Sequence, residues 1–251
     1  MVKLNELVSH CDDLLEVDRF RDYCPNGLQV QGKSQVETIV SGVTACQALI
    51  DAAIEQQADA IIVHHGYFWK GEDARIVGLK RRRIQALLNA GISLLAYHLP
   101  LDAHPVLGNN AQLALKLGLG VEGQFGPGQP AIGLYGSLVS PMPIADFLSM
   151  VATQLEREPL HIPGDLKQIQ RLAWCTGGAQ SYLESAVELG VDLFLTGEIS
   201  EQTTHMARET GTHCVAAGHH ATERYGVQAL GVHLAESLGI NHIYIDIDNP
   251  V

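Results

Sequence analysis

The amino-acid sequence predicts an α/β fold made of two similar lobes, each with a mainly parallel or mixed sheet. Short β-branched runs at residues 38–43 and 60–63 alternate with helix-like stretches at residues 47–57 and 82–89. This alternation is typical of βαβ units around a largely parallel sheet, in which ligands bind beyond the carboxyl ends of the strands. An internal repeat is the second observation, and it predicts two lobes.

The repeat covers two consecutive βαβ units. The segment TACQALIDAAIEQQADAIIVHH, which begins at Thr44, resembles TGGAQSYLESAVELGVDLFLTGE, which begins at Thr176, and Asp59 matches Asp192 after one inserted residue. One strand further on, NAGISLLAYHLPLD is echoed by ETGTHCVAAGHHATE. The equivalent pairs in this second stretch are His98 with His219 and Asp102 with Glu223. Two copies of one unit would present equivalent strand ends to a cleft between the lobes, where we expect the functional site.

The remaining elements of the first half follow from periodicity and from turn residues. Apolar residues recur at helical spacing from Leu4 to Leu15 and predict an N-terminal amphipathic helix. A polar turn follows at residues 25–27. A stretch rich in Gly and Pro at residues 123–130 predicts a hinge between the lobes.

The second half begins after this hinge, so we expect lobes over residues 1–125 and 126–251. Residues 133–139 have the pattern of a strand, and Pro143 then suits the first turn of a helix that continues to about residue 155, because no amide is needed there. Residues 242–247 alternate between polar and apolar and predict a last strand, which could pair with the sheet of either lobe, including the first.

Composition excludes several classes of protein. The formal net charge of −12 over 251 residues opposes binding along a nucleic-acid backbone. The five cysteines are an odd number, widely spaced and without a CxxC pair, which argues against a disulfide framework or a zinc knuckle. No apolar run approaches the roughly 20 residues of a membrane helix, and the first 15 residues carry charges throughout. We therefore expect a cytoplasmic protein that binds no membrane.

Three groups of histidine and carboxylate residues each follow a short apolar strand. The first is His64 with His65, the second is His98 with Asp102, and the third is His219 with Glu223. The spacing of four places the third pair on one face of a helix, whereas Pro100 predicts that the second pair lies on a loop. Because strand ends of a parallel sheet meet at one edge, these groups predict a metal site.

The ligand chemistry narrows the choice of metal. Imidazole and carboxylate without thiolate suit Zn, Mn, Fe, Co or Ni. Five ligands, namely His64, His65, Asp102, His219 and Glu223, suit two ions about 3.5–4 Å apart that share a carboxylate, for which Glu223 is the longer and better candidate. A mononuclear site remains an alternative.

Other residues near these groups have more than one interpretation. His98 is a candidate catalytic acid or base, a further ligand, a partner of Asp102 or a packing residue. The aromatic residues 67–69 suit either a substrate pocket or a packed lid. Residues 176–178 suit either a phosphate-binding turn or a plain tight turn, and Thr196 and Glu198 end a strand near the expected site. The isolated histidines are interpreted as structural or surface residues; they are His161, His205, His213, His233 and His242.

Several blocks of sequence, in this order, resemble the NIF-three-like proteins, which are often named GTP cyclohydrolase 1 type 2 homologues. The blocks are PNGLQVQG at Pro25, VTA at Val43, IVHHGYFWKG at Ile62, HLPLDAHP at His98, CTGGAQS at Cys175, TGEISEQT at Thr196 and AAGHHATERYG at Ala216. The bacterial short form, without an inserted domain, is the most similar. The resemblance implies a two-lobed protomer with a dinuclear metal site, assembled as a ring-shaped homohexamer.

The resemblance also implies a ligand set, and it carries over onto His64, His65, Asp102, His219 and Glu223. The activity in the family name does not carry over, because the Cys and His zinc pattern of GTP cyclohydrolase I enzymes is missing here. Our hypothesis is a metal-dependent hydrolase that acts on a nucleotide or related small molecule, by ring opening or phosphoester cleavage. The alternative is a non-enzymatic metal-binding ring scaffold or regulatory protein.

Overall fold

A computed structural model describes all residues from Met1 to Val251. Strands and helices alternate along most of the chain. The strands are β1 (Val2–Lys3), β2 (Gly27–Val30), β3 (Gln35–Val36), β4 (Thr38–Thr44), β5 (Ala60–His65), β6 (Ser93–Ala96), β7 (Gly120–Phe125), β8 (Gly133–Pro143), β9 (Leu160–Ile162), β10 (Gln168–Cys175), β11 (Leu193–Thr196), β12 (His213–Ala216) and β13 (Asn241–Tyr244). The helices are α1 (Leu4–Leu14), α2 (Gln47–Glu55), α3 (Gly78–Ala90), α4 (Leu99–Ala103), α5 (Asn109–Leu117), α6 (Ile144–Leu155), α7 (Leu183–Glu188), α8 (Glu201–Thr210) and α9 (His219–Leu238). None of these helices has both the length and the apolar character that a membrane crossing requires.

The chain forms two compact units. The first comprises Met1–Gly108 and Gly226–Asp248, and the second comprises Asn109–Tyr225 and Asn249–Val251. The sequence-based division at residue 125 differs from this boundary, because β7 lies before residue 125 and pairs with β8 in the sheet of the second unit. Helix α9 likewise begins in the second unit and ends in the first.

The first unit contains a five-stranded sheet in the order β13-β4-β5-β6-β2. Strands β13, β4, β5 and β6 are parallel to their neighbours, and β2 is an antiparallel edge strand. Alternate residues of the central strands enter two separate apolar cores, since Ile62 packs in one core and Ile61 and Val63 pack in the other. Burial of both faces explains why the central strands are continuous apolar runs. The strand predicted near the C-terminus pairs with β4 of this sheet.

The second unit contains a six-stranded sheet in the order β7-β8-β10-β11-β12-β9. Its central strands β10, β11 and β12 are parallel, while β7, β8 and β9 pair antiparallel. This sheet also has an apolar core on each side, with Trp174 in one core and Phe194 in the other. The predicted α/β class with mixed sheets is therefore confirmed.

The internal repeat is visible in both units. The series β4-α2-β5-α3-β6 corresponds to β10-α7-β11-α8-β12, and each series ends beside an antiparallel edge strand. The carboxylate of Asp59 accepts the amides of Glu37 and Thr38 at 2.9 and 3.1 Å. Its counterpart Asp192 accepts the amides of residues 170 and 171 at 2.7 and 2.9 Å. The two matched aspartates thus accept backbone amides near the start of the corresponding strand, β4 in the first copy and β10 in the second.

One local prediction was wrong. Residues after His98 form the short helix α4, and not a loop, because Pro100 stands in the first turn, where a helix needs no amide hydrogen bond. Two other predictions are confirmed, since α1 buries Leu4, Leu7 and Cys11 on one face and α6 begins directly after Pro143.

Candidate functional site

In the first unit, the candidate residues follow the parallel strands β5 and β6. His64 and His65 are the last residues of β5, and His98 lies two residues beyond β6. Ring nitrogens of these three histidines lie within 4.8 Å of one another. The His64 ring is fully buried, whereas the other two rings are partly exposed. The carboxyl ends of adjacent strands therefore bring together histidines that are far apart in sequence.

His64 is held in one orientation by the backbone. Its Nδ1 lies 2.9 Å from the carbonyl oxygen of Tyr97, so Nδ1 carries the proton and donates it. Its Nε2 lies 3.5 Å from Oδ1 of Asp102, which is buried on α4. The lone pair on Nε2 of His64 and the carboxylate of Asp102 therefore face the same point.

His98 is oriented by Asp22, a residue that the sequence analysis missed. Nδ1 of His98 lies 2.7 Å from Oδ1 of Asp22, and the same carboxylate accepts the amide of Leu99 at 2.9 Å and the side chain of Asn26 at 2.9 Å. Burial by itself would raise the pKa of Asp22, but the hydrogen bond and charge of His98, with the bonds from Asn26 and Tyr23, lower this pKa to about 2. No sequence spacing signals this residue, because the contact joins positions 76 residues apart.

Cys24 lies beside this histidine but does not supply a thiolate. Its sulfur, a carboxylate oxygen of Asp22 and a ring nitrogen of His98 lie within 4.8 Å of one another. Burial, and the negative charge of Asp22, raise the pKa of the Cys24 thiol to about 12. The Cys24 thiol is therefore protonated at neutral pH.

In the second unit, the candidate residues lie on the first turn of α9. Nε2 of His219 is 3.2 Å from Oε2 of Glu223, and Nδ1 of His219 is 2.6 Å from Oε1 of Glu198. Burial would lower the pKa of His219, but the two carboxylates outweigh it and raise this pKa to about 9. The negative potential that holds a proton on this ring also favours binding of a cation. Glu198, which follows β11, thus orients His219.

The residues 176–178 form a turn that makes room for this pair. Gly177 has a φ of +67°, and a Cβ atom at this position would overlap the carboxylate of Glu223. The amide of Gly177 donates to Oγ1 of Thr222, and the amide of Thr176 donates to Oδ1 of Asn110, both at 3.0 Å. Two of the three amides of this turn therefore already bond within the protein, which favours the tight-turn interpretation over phosphate binding.

The aromatic residues after His65 have separate roles. Tyr67 is buried and donates its hydroxyl to the carbonyl oxygen of Ala45 at 2.8 Å, which makes it a packing residue. The Trp69 ring lies edge-on to the His98 ring, with centroids 5.0 Å apart, so it lines the histidine group. Packing therefore accounts for Tyr67, and Trp69 stays a prediction for the wall of a substrate pocket.

All four histidines of the candidate groups are anchored through Nδ1. The partners are the Tyr97 carbonyl for His64, the Thr44 hydroxyl for His65, the Asp22 carboxylate for His98 and the Glu198 carboxylate for His219. A neutral imidazole that donates through Nδ1 has its lone pair on Nε2, and a cation that binds there takes the place of the second proton that His219 holds. Metal-binding histidines commonly show such a partner on the other nitrogen. The donor set therefore suits divalent transition metals.

Comparison with known proteins identifies the family. The model of the Duf34/NIF3 (NGG1p interacting factor 3) family matches residues 2–250. The chain belongs to the Duf34/NIF3 family. A Pseudomonas aeruginosa relative, named "GTP cyclohydrolase 1 type 2 homolog", is 58% identical over 99% of both chains. The resemblance predicted from the sequence blocks is thereby confirmed.

Solved structures of the Duf34/NIF3 type share this fold over its whole length. A structure titled "Structural genomics, protein ybgI, unknown function" covers 100% of both chains with a TM-score of 0.96 and 50% identity. The crystal structure of TTHA1606 from Thermus thermophilus also covers 100% of both chains, with a TM-score of 0.90 and 33% identity. The family assignment thus rests on sequence and on fold alike.

Proposed function

We propose that this Duf34/NIF3 protein binds two divalent metal ions through His64, His65, Asp102, His219 and Glu223. The observation that carries the proposal is the same in both units: an imidazole anchored at Nδ1 directs Nε2 toward a carboxylate oxygen, at 3.5 Å for His64 and 3.2 Å for His219. Two such acceptor atoms repel each other at this distance unless a proton or a cation joins them. A divalent cation between the two atoms attracts both of them more strongly than a proton does, because it carries twice the charge.

The number and type of the donors support a dinuclear centre. The five residues offer imidazole and carboxylate alone, which suits Zn, Mn, Fe, Co or Ni. Five protein ligands exceed what one tetrahedral ion with an open position uses, and Glu223 has the length to bridge two ions. A single ion per chain is the competing proposal.

We further propose a hydrolase that acts on a nucleotide or a related small molecule. Two divalent ions held by these five residues would lower the pKa of a bound water and would stabilise negative charge on the substrate. His98, fixed by Asp22 at Nδ1, presents Nε2 for proton exchange, and Trp69 supplies an apolar wall beside it. With a net charge of −12, the protein depends on bound cations to attract an anionic substrate.

Metal analysis tests the binding proposal. Purified protein dialysed against Mn²⁺, which binds imidazole more weakly than the later first-row ions do, should retain two ions per chain, and His219→Gln or Asp102→Asn should lower this number. His205→Gln is the matched control, because it makes the same change at an exposed histidine of α8 in the second unit. One ion per chain in the wild type would favour the mononuclear alternative, and unchanged stoichiometry in both variants would refute the ligand assignment.

Turnover tests the catalytic proposal separately. Metal-loaded protein should release formate or phosphate from a panel of nucleotides, and His98→Gln should reduce kcat by about 10²–10⁴ while metal content stays at two ions. Absence of turnover with every nucleotide and metal, together with loss of assembly in Glu223→Gln, would favour the non-enzymatic scaffold or regulatory protein.

The proposed assembly is a homohexameric ring, and the proposed location is the cytoplasm. The ring is what the family resemblance implies, and the five free cysteines, all without disulfides, support a reducing compartment. Light scattering should give a mass six times the protomer's 27.1 kDa. A monomer or dimer at micromolar concentration would contradict the ring.

A further inference from the structure

A second histidine group lies in the first unit, apart from the proposed ligands. His10 is on α1, and His233 is on the part of α9 that belongs to the first unit. Their Nε2 atoms face each other at 3.3 Å, and the ring centroids are 5.5 Å apart. His233 was interpreted from the sequence as an isolated structural or surface residue, and the contact joins positions 223 residues apart.

The two helices hold this pair in a fixed arrangement. Leu7 and Cys11 of α1 pack in one apolar core with Leu230 and Leu234 of α9. His10 directly precedes Cys11, and His233 directly precedes Leu234, so each histidine lies at the edge of the packed face. Both rings are partly buried, whereas neighbouring Asp13 and Ser237 are exposed, which leaves a route from solvent. Packing therefore sets the distance between the nitrogens before any ligand binds.

The distance between the two nitrogens suits chelation of one ion. Zinc–imidazole bonds of 2.0–2.1 Å in a tetrahedral arrangement place two nitrogens roughly 3.3 Å apart. Nε2 of His233 is also 3.3 Å from Oγ of Ser237, a neutral group that can turn its hydrogen away. Burial and the neighbouring His233 lower the pKa of His10, and the negative charge of Asp13, one turn beyond it on α1, offsets them only in part. The His10 imidazole is therefore kept neutral, which is the form that binds a metal ion.

His104 and His213 also lie close to another histidine, but neither has a ring nitrogen with a free lone pair. His104 interacts electrostatically with His233, but its Nδ1 accepts the amides of Val106 and Leu107 at 3.2 and 2.9 Å, so its Nε2 carries the proton. His213, which lies 2.9 Å from His161, accepts the Gly164 amide at Nδ1 and donates Nε2 to the carbonyl oxygen of Leu166. These nitrogens cannot bind a metal without breaking backbone hydrogen bonds.

We propose that His10 and His233 chelate a late first-row divalent ion, Zn²⁺, Ni²⁺ or Cu²⁺, which joins α1 to the C-terminal part of α9. Imidazole nitrogen is a preferred ligand of these ions, and solvent completes the coordination. The ion links the first and the last helix of the chain and stabilises the first unit in proportion to its occupancy. The site is independent of the proposed dinuclear centre.

Calorimetric titration of the full-length protein with Zn²⁺ tests the proposal. His10→Gln and His233→Gln should each remove the same binding phase or weaken it at least about tenfold, and the double variant should lose no more than either single variant. His161→Gln is the matched control and should keep this phase. Glu223→Gln should also keep this phase. Failure of the dinuclear proposal can therefore be distinguished from failure of the His10–His233 proposal.

Anomalous diffraction from crystals soaked in Zn²⁺ supplies the location. We expect a peak within bonding distance of both Nε2 atoms. Saturating Zn²⁺ should also raise the thermal midpoint of Glu223→Gln by a few degrees, an effect that adding His10→Gln should abolish. No peak between the rings, or unchanged titrations in both histidine variants, would show that the pair is only hydrogen-bonded and would overturn the proposal.

Discussion

Gly177 leaves room for the carboxylate of Glu223, because it has no side chain. Its substitution tests whether metal binding depends on this space. Gly177→Ala places a methyl group against the carboxylate and also strains a backbone with φ of +67°. We expect a loss of about 1–3 kcal/mol in the free energy of unfolding, together with reduced metal content. Chemical denaturation and metal analysis measure the two effects.

Gly190→Ala separates strain from overlap. Gly190 has a φ of +65°, also in the second unit, but a Cβ atom there meets nothing within 4 Å. This variant should lose only the strain component, about 1 kcal/mol, and should keep the wild-type metal content. Equal metal loss in both variants would contradict a specific role for the space beside Glu223.

Asp22 gives the first unit a pH dependence with a definite sign. Its pKa falls from 3.8 to about 2 on folding, so the unfolded chain takes up a proton more readily than the folded protein does. The carboxylate therefore stabilises the fold fully above about pH 4, and this contribution is lost as the pH falls toward 2. Asp22→Asn should remove about 2 kcal/mol at pH 7 and flatten the acid limb of the stability profile.

Asp73→Asn is the control for this experiment, since Asp73 is exposed and its carboxylate pairs with the exposed Arg75, two residues away. Unfolding by urea between pH 2 and 7 gives both profiles. An acid limb of equal slope in Asp22→Asn and wild type would contradict the assignment.

At the scale of elements, the repeat predicts that two distant substitutions behave alike. Asp59 and Asp192 each accept two amides at the start of a central strand. Asp59→Ala and Asp192→Ala should each cost about 0.5–1.5 kcal/mol, because two mostly exposed amides lose a charged acceptor in each case. Thermal unfolding of both variants measures the loss.

Asp51→Ala on the exposed face of α2 is the control and should change stability by less than about 0.5 kcal/mol, since Asp51 accepts only from the side chain of Gln47. A large loss for Asp59→Ala with none for Asp192→Ala would show that the two copies no longer depend on the same contact.

Elements also show where local sequence rules were sufficient. Helix α1 follows from apolar periodicity, because it packs one face, and strand β5 follows from a continuous apolar run, because it is buried on both faces. Helix α4 did not follow, since Pro100 is compatible with a loop or with a first helical turn, and contacts from distant residues decide between them. Asp22 accepts the amide of Leu99 at the start of this helix.

At the scale of the whole molecule, the repeat gives two sheets, and one histidine–carboxylate pair is associated with each. In the first unit His64 ends a strand and Asp102 lies on a short helix, and in the second unit both residues lie on the helix that follows the strand. The sequence pairs His98 with Asp102 and His219 with Glu223, whereas the structure places the His64 ring beside Asp102. The family model matches residues 2–250, which confirms the family resemblance predicted from the sequence blocks. The unit boundary, by contrast, depends on pairing of β7 with β8 and on the path of α9, neither of which the glycine-rich segment indicates.

The sequence by itself determined the α/β class, the repeat, the family and the candidate ligands, because each depends on local pattern or on blocks of residues in order. Only the tertiary structure decided which nitrogen of each histidine is anchored, that Asp22 orients His98, and that His10 faces His233. The physical reason is that these contacts join side chains 76 and 223 residues apart, where no periodicity relates the two positions. Burial and hydrogen bonding then fix each tautomer, and with it the chemistry that the histidine can perform.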